Sequence, residues 1–358
     1  MYIYLACKVT TLTACHTTEG MLWSELSHSE LRILLALPRA KSYSDVAKAT
    51  GLAPSYVSGR VRRLAAEARL RFWADYRLLG LSACYLVAKF EPRAFRALTE
   101  RPVPYVRSAA RVWDREGAKL LIEANPPLGL EEEFAASLSL PLLELWVKRR
   151  EGKFAPLDGA LVELSSGRLK TKWSGLPERA APLEHVLLHA ASKPPRTADA
   201  IDLLILRERE EFCFLSLSEV GRRHGLSQQA ASYHYRAHLK GAWVANCIEH
   251  RGLSSAVLYR VEAEEPIVAL RLLLALREAP SLVDAFVPAG RDEELLLVVD
   301  ESLEGLADMH RALLSVEGVR RAELIAFFDP RAYVHHGLTA HLGLTERGWS
   351  LEGVGGLA

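Results

Sequence analysis

The chain has 358 residues, 49% of them hydrophobic and 25% charged, and a formal net charge of +1. That composition is ordinary for a soluble globular protein with sizeable cores, and the charge balance excludes a globally basic nucleic-acid coat. No apolar run is long enough to span a bilayer, and five scattered cysteines, Cys7, Cys15, Cys84, Cys213 and Cys247, point to a reducing cytoplasm and not to a disulfide framework.

In chain order, residues 1–26 offer a short strand from Tyr2 to Val9 and then a polar loop. Ser27 and Glu30 form a capping box for a helix reaching about Leu37. The stretch Ser44–Leu64, SDVAKATGLAPSYVSGRVRRL, reads as two helices joined by a tight turn. Ser44 is the expected N-cap, Gly51 accepts the left-handed C-cap, and Pro54 opens the second helix where its missing N–H is not needed. Val57, Val61 and Leu64 make one buried stripe. The opposite face carries Ser55, Gly59, Arg62 and Arg63, with Tyr56 and Ser58 on its flanks, a small basic surface suited to the major groove. Arg69 to Asp75 alternates and, with the residues after it, predicts a two-stranded wing on which Arg69 and Arg71 touch the DNA backbone.

From Cys84 the pattern becomes strand (84–90), helix (92–99), two strands (105–113 and 118–124) around Asp114-Arg115-Glu116-Gly117, helix (128–137) and strand (142–148). This is the βαββαβ order of a ferredoxin-like unit. Residues 149–196 hold a hairpin turning at Ser165-Ser166-Gly167, a short helix near Leu183–Ala191 and a Lys193-Pro194-Pro195-Arg196 linker. The tail after Asp329 is rich in glycine and histidine and reads as a disordered or partner-docking segment.

The chain also repeats itself. SEVGRRHGL at 218–226 matches SDVAKATGL at 44–52, GLSSAVLY at 252–259 matches GLSACYLV at 80–87, and Glu265-Pro266 matches Glu91-Pro92, at near-constant spacing. The chain therefore reads as a tandem duplication. In the second copy the expected recognition helix is SQQAASYHYRAHLKG. There Gln229, Tyr233 and Arg236 face out and His234 lies near the edge, while Ala231 and Tyr235 face the core; glutamine can read adenine and arginine guanine. The second βαββαβ pattern spans 255–328, with Gly290 and Asp292 in its central turn.

This order resembles the Lrp/AsnC, or feast/famine, family of bacterial and archaeal transcription regulators. GLAPSYVSGRVRRL looks like that family's recognition-helix segment, and DYRLLGLSACYLVAKFEP like its passage from wing to sensing domain. The resemblance implies an α+β fold in which two winged helix-turn-helix units alternate with two ferredoxin-like units. The implied divisions are 1–80, 81–150, a linking segment 151–196, 197–251, 252–329 and a tail 330–358. It also implies a transcription regulator bound to double-stranded DNA, at least a pseudo-dimer within the chain and a homo-oligomer beyond it. An effector such as an amino acid would sit near Asp114 and Gly117 or Gly290 and Asp292.

Two rival readings stand beside this one. Siroheme decarboxylases share the winged-helix and ferredoxin-like build and are sometimes fused in tandem; their histidine- and arginine-rich segment is echoed here only by His250-Arg251. An architectural chromatin protein is the other rival. His234 and His238 are spaced i, i+4 as metal ligands can be, but with no CxxC or HExxH beside them no metal is expected. The sequence reading is of a non-enzyme without catalytic residues, cofactor or membrane contact.

Overall fold

The computed structural model describes residues 25–181, 198–346, 348–355 and 357. The strand at Tyr2–Val9, the helix near Leu183–Ala191 and the linker at Lys193–Arg196 lie outside them.

Three helices come first: α1 (His28–Ala36), α2 (Tyr43–Thr50) and α3 (Pro54–Glu67). The Ser27 side chain accepts from the Glu30 amide while Glu30 accepts from the Ser27 amide, so the capping box forms. The N-cap of α2 is Ser42, not Ser44, because Ser42 is the extended residue whose hydroxyl accepts from Asp45 N. Gly51 closes α2 at φ 69°, where an L side chain would be strained. Val57, Val61 and Leu64 are fully buried, worth about 1.5–3 kcal/mol each against leaving them exposed.

Strand β1 (Ala68–Ala74) follows at once. Then come β2 (Cys84–Lys89), α4 (Pro92–Glu100), β3 (Val106–Asp114), β4 (Gly117–Ala124), α5 (Glu131–Ser137) and β5 (Leu142–Gly152). A small hairpin, β6 (Val162–Ser165) with β7 (Arg168–Thr171), precedes the four-residue α6 (Leu176–Arg179). A second helical group comprises α7 (Ala200–Glu211), α8 (Leu217–His224) and α9 (Gln228–His234), the last running into a π-turn over Tyr235–Leu239. Strand β8 (Trp243–His250) leads to β9 (Ala256–Ala263), α10 (Pro266–Leu276), β10 (Leu282–Pro288), β11 (Glu294–Asp300), α11 (Leu303–Leu314) and β12 (Val319–His335).

Two pairings decide the architecture. The strand expected to form a wing with its own neighbours, β1, instead pairs antiparallel with β8, Arg71 opposite Cys247. The remaining strands close into one barrel, ordered β10-β11-β9-β12-β3-β4-β2-β5. The two βαββαβ sheets thus join edge to edge twice, at β3–β12 and at β5–β10. Closure leaves neither sheet an open edge in the barrel. The tail also differs from expectation: β12 runs to His335, the Tyr105 hydroxyl donates to Gly343 O and Ser350 O, and Leu338, Ala340, Val354 and Leu357 are buried. Apolar residues spaced among its glycines give this segment a core to join. Among the described residues, no helix is long and apolar enough to cross a membrane.

Candidate functional site

Where the β1–β8 ribbon meets the barrel, charge is buried. Arg69, Arg71, Arg107, Lys148 and Lys153 are each 5% exposed or less. Glu123, Glu210 and Asp284 are buried with them, and the Glu249 side chain is 11% exposed. Five cations meet four carboxylates in a place where an unpaired ion is costly.

The ribbon side is organised by Glu210 of α7. It accepts from Arg71 Nη2 at 3.2 Å and Arg107 Nη2 at 2.9 Å, and from the Tyr76 hydroxyl. Arg71 Nη1 reaches Glu249 of β8 at 3.2 Å, and Arg69 lies 3.6 Å from the same carboxylate. On the barrel side, Lys148 donates to Glu123 at 3.1 Å and Asp284 at 2.6 Å, and Lys153 stands 3.1 Å from Asp284. Tyr85 donates to Asp284 and Ser108 to Glu123. Arg107, 3.8 Å from Glu123, joins the two sides.

Burial alone would raise the carboxyl pKa values, but the cations win. Lys148 and Lys153 hold Glu123 well below the usual range, and Arg107 and Arg71 lower Glu210. Arg71 likewise lowers Glu249 against its burial. Burial, reinforced by Arg69, pushes His335 far down, so its ring is neutral at pH 7. Burial drives the Tyr85 and Tyr333 hydroxyls up, so both keep their protons.

Several atoms are held as ion pairs without a hydrogen bond: Arg69 Nε stands 3.4 Å from Glu211, Arg69 Nη1 3.6 Å from Glu249 Oε2, Arg107 Nε 3.8 Å from Glu123 and Asp284 Oδ1 3.1 Å from Lys153, while Arg71 Nε is buried with no hydrogen bond. Between the two sides lies a cavity of ≈ 30 Å³ walled by Tyr85, Ser108, Glu123, Lys153, Glu249 and Tyr333 with apolar neighbours, room for about two waters. The cavity wall carries one cation, Lys153, and two carboxylates, Glu123 and Glu249, with the remaining cations of the cluster behind it.

The sequence-predicted residues are placed elsewhere or differently. Arg69 and Arg71 do not stand on an exposed wing; pairing with β8 turns both into the charged interior. Ser55, Tyr56, Gly59 and Arg62 are exposed on α3, and a Cβ at Gly59 would meet nothing within 4 Å. Ser58 is half-buried, its hydroxyl donating to Ser55 O. Arg63 is turned aside: it donates to the buried Glu30 at 2.6 Å and to Glu25 O. Gln229, Tyr233 and Arg236 are exposed on the second helical group, but His234 turns inward to Asp202 at 3.0 Å. At the expected effector turns, Asp114 Oδ1 accepts from Glu116 N and Gly117 N, and Asp292 accepts from Arg149. Both carboxylates thus serve the fold of their own surroundings, and Gly117 and Gly290 hold positive φ. Lys148, Lys153, Glu123, Glu210 and Asp284 had no motif to signal them; the one available hint is arginines and lysines on segments otherwise apolar enough to be core strands.

No protein-family model matches the chain, and no curated protein matches it. Among solved structures, siroheme decarboxylase NirDL resembles it at 12% identity over 84% of this chain and 91% of that one, with a TM-score of 0.47. A second NirDL structure, in complex with an iron-uroporphyrin III analogue, gives the same values save 90% coverage of its chain. AsnC of E. coli matches at 13% identity and TM-score 0.28 over 37% of this chain and 92% of that one. An AsnC-family regulator of Pyrococcus furiosus matches at 14% and 0.25, over 36% and 88%. At these scores the likenesses identify neither reaction nor ligand. The expectation of a non-enzyme is not upheld: the solved structures that span most of this chain are of siroheme decarboxylase NirDL, an enzyme.

Proposed function

We propose that the chain is an enzyme of the siroheme-decarboxylase kind, acting on a carboxylate-bearing small molecule at the junction of ribbon and barrel. The observation that carries this reading is the buried set of five cations against four carboxylates, with Arg71 Nε left without a hydrogen bond. A substrate carboxylate entering there loses water, and Lys153 at the cavity wall, with Arg69 behind Glu249, holds its charge. In decarboxylation the C–C bond to that carboxylate breaks, carbon dioxide leaves, and the electron pair stays on carbon until a proton arrives. Tyr333, at the cavity wall with its proton retained, is the donor in this scheme. A cavity of ≈ 30 Å³ admits a carboxylate arm and not a macrocycle, so a tetrapyrrole would bind with its ring outside or with the ribbon displaced.

The test is to titrate the protein with siroheme and with an iron-uroporphyrin, following absorbance, and to look for carbon dioxide loss by mass spectrometry. A shifted spectrum with loss of carboxyl groups, both abolished in Lys153→Met, supports the reading. A spectrum unchanged with both pigments, and products unchanged, sinks it.

A second reading is favoured by one separate observation, the open face of α3 formed by Ser55, Tyr56, Gly59 and Arg62. That face would bind the major groove of double-stranded DNA. On this reading the two halves are a tandem duplication, each a winged helix-turn-helix and a ferredoxin-like unit. The chain is then a pseudo-dimer able to oligomerise further, and an amino acid near Asp114, Gly117, Gly290 or Asp292 would modulate it. Electrophoretic mobility shifts on the chain's own upstream DNA across a salt series test it. Binding no stronger than to random sequence removes the operator claim.

A further inference from the structure

We propose a divalent metal site, of the class that takes zinc, between the start of α7 and the end of α9, built from His234, His238, Asp202 and Asp199. It is independent of the charged interior and of the reaction proposed there. Asp199 and Asp202 are the N-cap and N3 residues of α7, and their carboxylates complete a reciprocal capping box. A capping box uses one oxygen of each carboxylate on a backbone amide. Here each carboxylate also turns to an imidazole. His234 Nδ1 lies 3.0 Å from Asp202 Oδ1 and 3.2 Å from Asp199 Oδ2. His238 Nδ1 lies 2.8 Å from Asp202 Oδ2.

The four residues each bring one ligand atom, all within 4.8 Å of one another. Zinc bonds of about 2.0–2.1 Å in a tetrahedron require neighbouring ligand atoms roughly 3.3 Å apart, so the His–Asp separations of 2.8–3.2 Å open slightly and the wider pairs, within 4.8 Å, close. Two imidazoles with two carboxylates is a nitrogen and oxygen set that suits zinc, and cobalt as its spectroscopic stand-in. Asp202 is 1% exposed, the Asp199 side chain 50% exposed, so one ligand is fixed in the fold and another faces the entry route. The backbone is adapted as well: the helix changes from α to π between the two histidines. Such a widened turn is uncommon and is often found at functional sites. The rings stand 5.2 Å apart and nearly perpendicular, with both Nδ1 atoms on the same carboxylate. Metal binding would clamp the second helical group across the Asp202–His238 contact and fix the outward set of Tyr233 and Arg236.

The experiment uses the full chain stripped with chelator. Titration with cobalt(II) should give one saturable equivalent with tetrahedral visible absorption, displaced by zinc, and zinc should raise the unfolding temperature. His238→Gln and His234→Gln should each weaken zinc binding at least tenfold, and Asp199→Asn, at the exposed edge, should weaken it without unfolding the protein. Failure of the parent to bind either ion saturably overturns the site. Histidine variants that stay folded and titrate like the parent overturn it too, since the ion would then lie elsewhere. If a histidine variant fails to fold, Asp199→Asn decides alone: parent-like affinity overturns the site.

Discussion

The two helical groups start alike and finish differently. In both, a serine caps the first helix of the turn (Ser42, Ser216) and a left-handed glycine ends it (Gly51, Gly225). Thereafter α3 runs 14 residues on a stripe of Val57, Val61 and Leu64 and leaves a whole face to solvent. By contrast α9 lasts 7 residues, loosens into a π-turn and folds its histidines onto α7. Equal turn chemistry therefore does not make equal surfaces. What the second helix does is set by where its polar residues find partners, outside for α3 and inside for α9.

The largest test bears on the ribbon that joins the two groups. Arg71→Ala leaves Glu210 and Glu249 buried with one guanidinium fewer and should cost about 3–5 kcal/mol of stability, read by denaturant unfolding. A loss under 1 kcal/mol would mean the ribbon is open to water, and the first group would regain an exposed wing.

Next comes the position at which the repeats carry Ala47 and Gly221. A Cβ on Gly221 would stand 2.6 Å from the Leu226 carbonyl oxygen, so Gly221→Ala should cost roughly 2 kcal/mol through overpacking. The mirror change, Ala47→Gly, should cost about 1 kcal/mol from helix propensity alone. Thermal unfolding of the two variants separates the tightly closed second turn from the roomier first. Equal losses would erase that distinction.

Comparable in size, on the DNA-binding reading, is an effect on affinity. Arg62→Ala should weaken operator binding by roughly 1–3 kcal/mol and relax sequence preference if the side chain reads a base. Arg236→Ala should change it by less than about half a kcal/mol, since α9 is committed to α7. Fluorescence anisotropy with one duplex measures both. Equal losses would restore a second reading helix.

The smallest effect is a pH limb. His335 has a folded pKa depressed by burial, so the unfolded chain binds its proton first. Stability is full above the unfolded value, about 6.5, and falls as pH drops from there toward the folded value. Glu123, Glu210 and Glu249, also depressed, add a second loss once pH falls below the ordinary carboxylate range. Burial also lowers His336 and His341, so His335→Gln should shrink the first limb without abolishing it and keep the second. A parent whose stability is flat from pH 7 to 5 would contradict the burial.

Much of the local structure is legible in the sequence because it is written locally. The Val57, Val61 and Leu64 stripe, the Gly51 cap and the order of strands around Asp114–Gly117 all follow from residues a few positions apart. The charged interior is not legible for the opposite reason. Arg71 meets Glu210 and Glu249 across 139 and 178 positions of chain, and an arginine on a short alternating strand is solvated unless such distant partners arrive. The metal site failed to register in the same way. His234 and His238 are a visible pair, but Asp199 and Asp202 look complete as a helix cap, and only folding shows their second oxygens turned to the rings.

The doubly closed barrel also dictates how the protein must be made. The ribosome releases β2 to β5 well before β10 and β12 exist, so the outer edges of β3 and β5 emerge unpaired, ready to zip onto any passing strand. In the same interval Arg71 and Arg107 wait without Glu210, and like charges crowd each other in a half-built interior. The nascent first half is thus both sticky at its rims and repelled at its heart, a state that ends only when the last strand threads home. A circular permutant whose new ends fall between β11 and α11 would shift that interval to a different pair of rims.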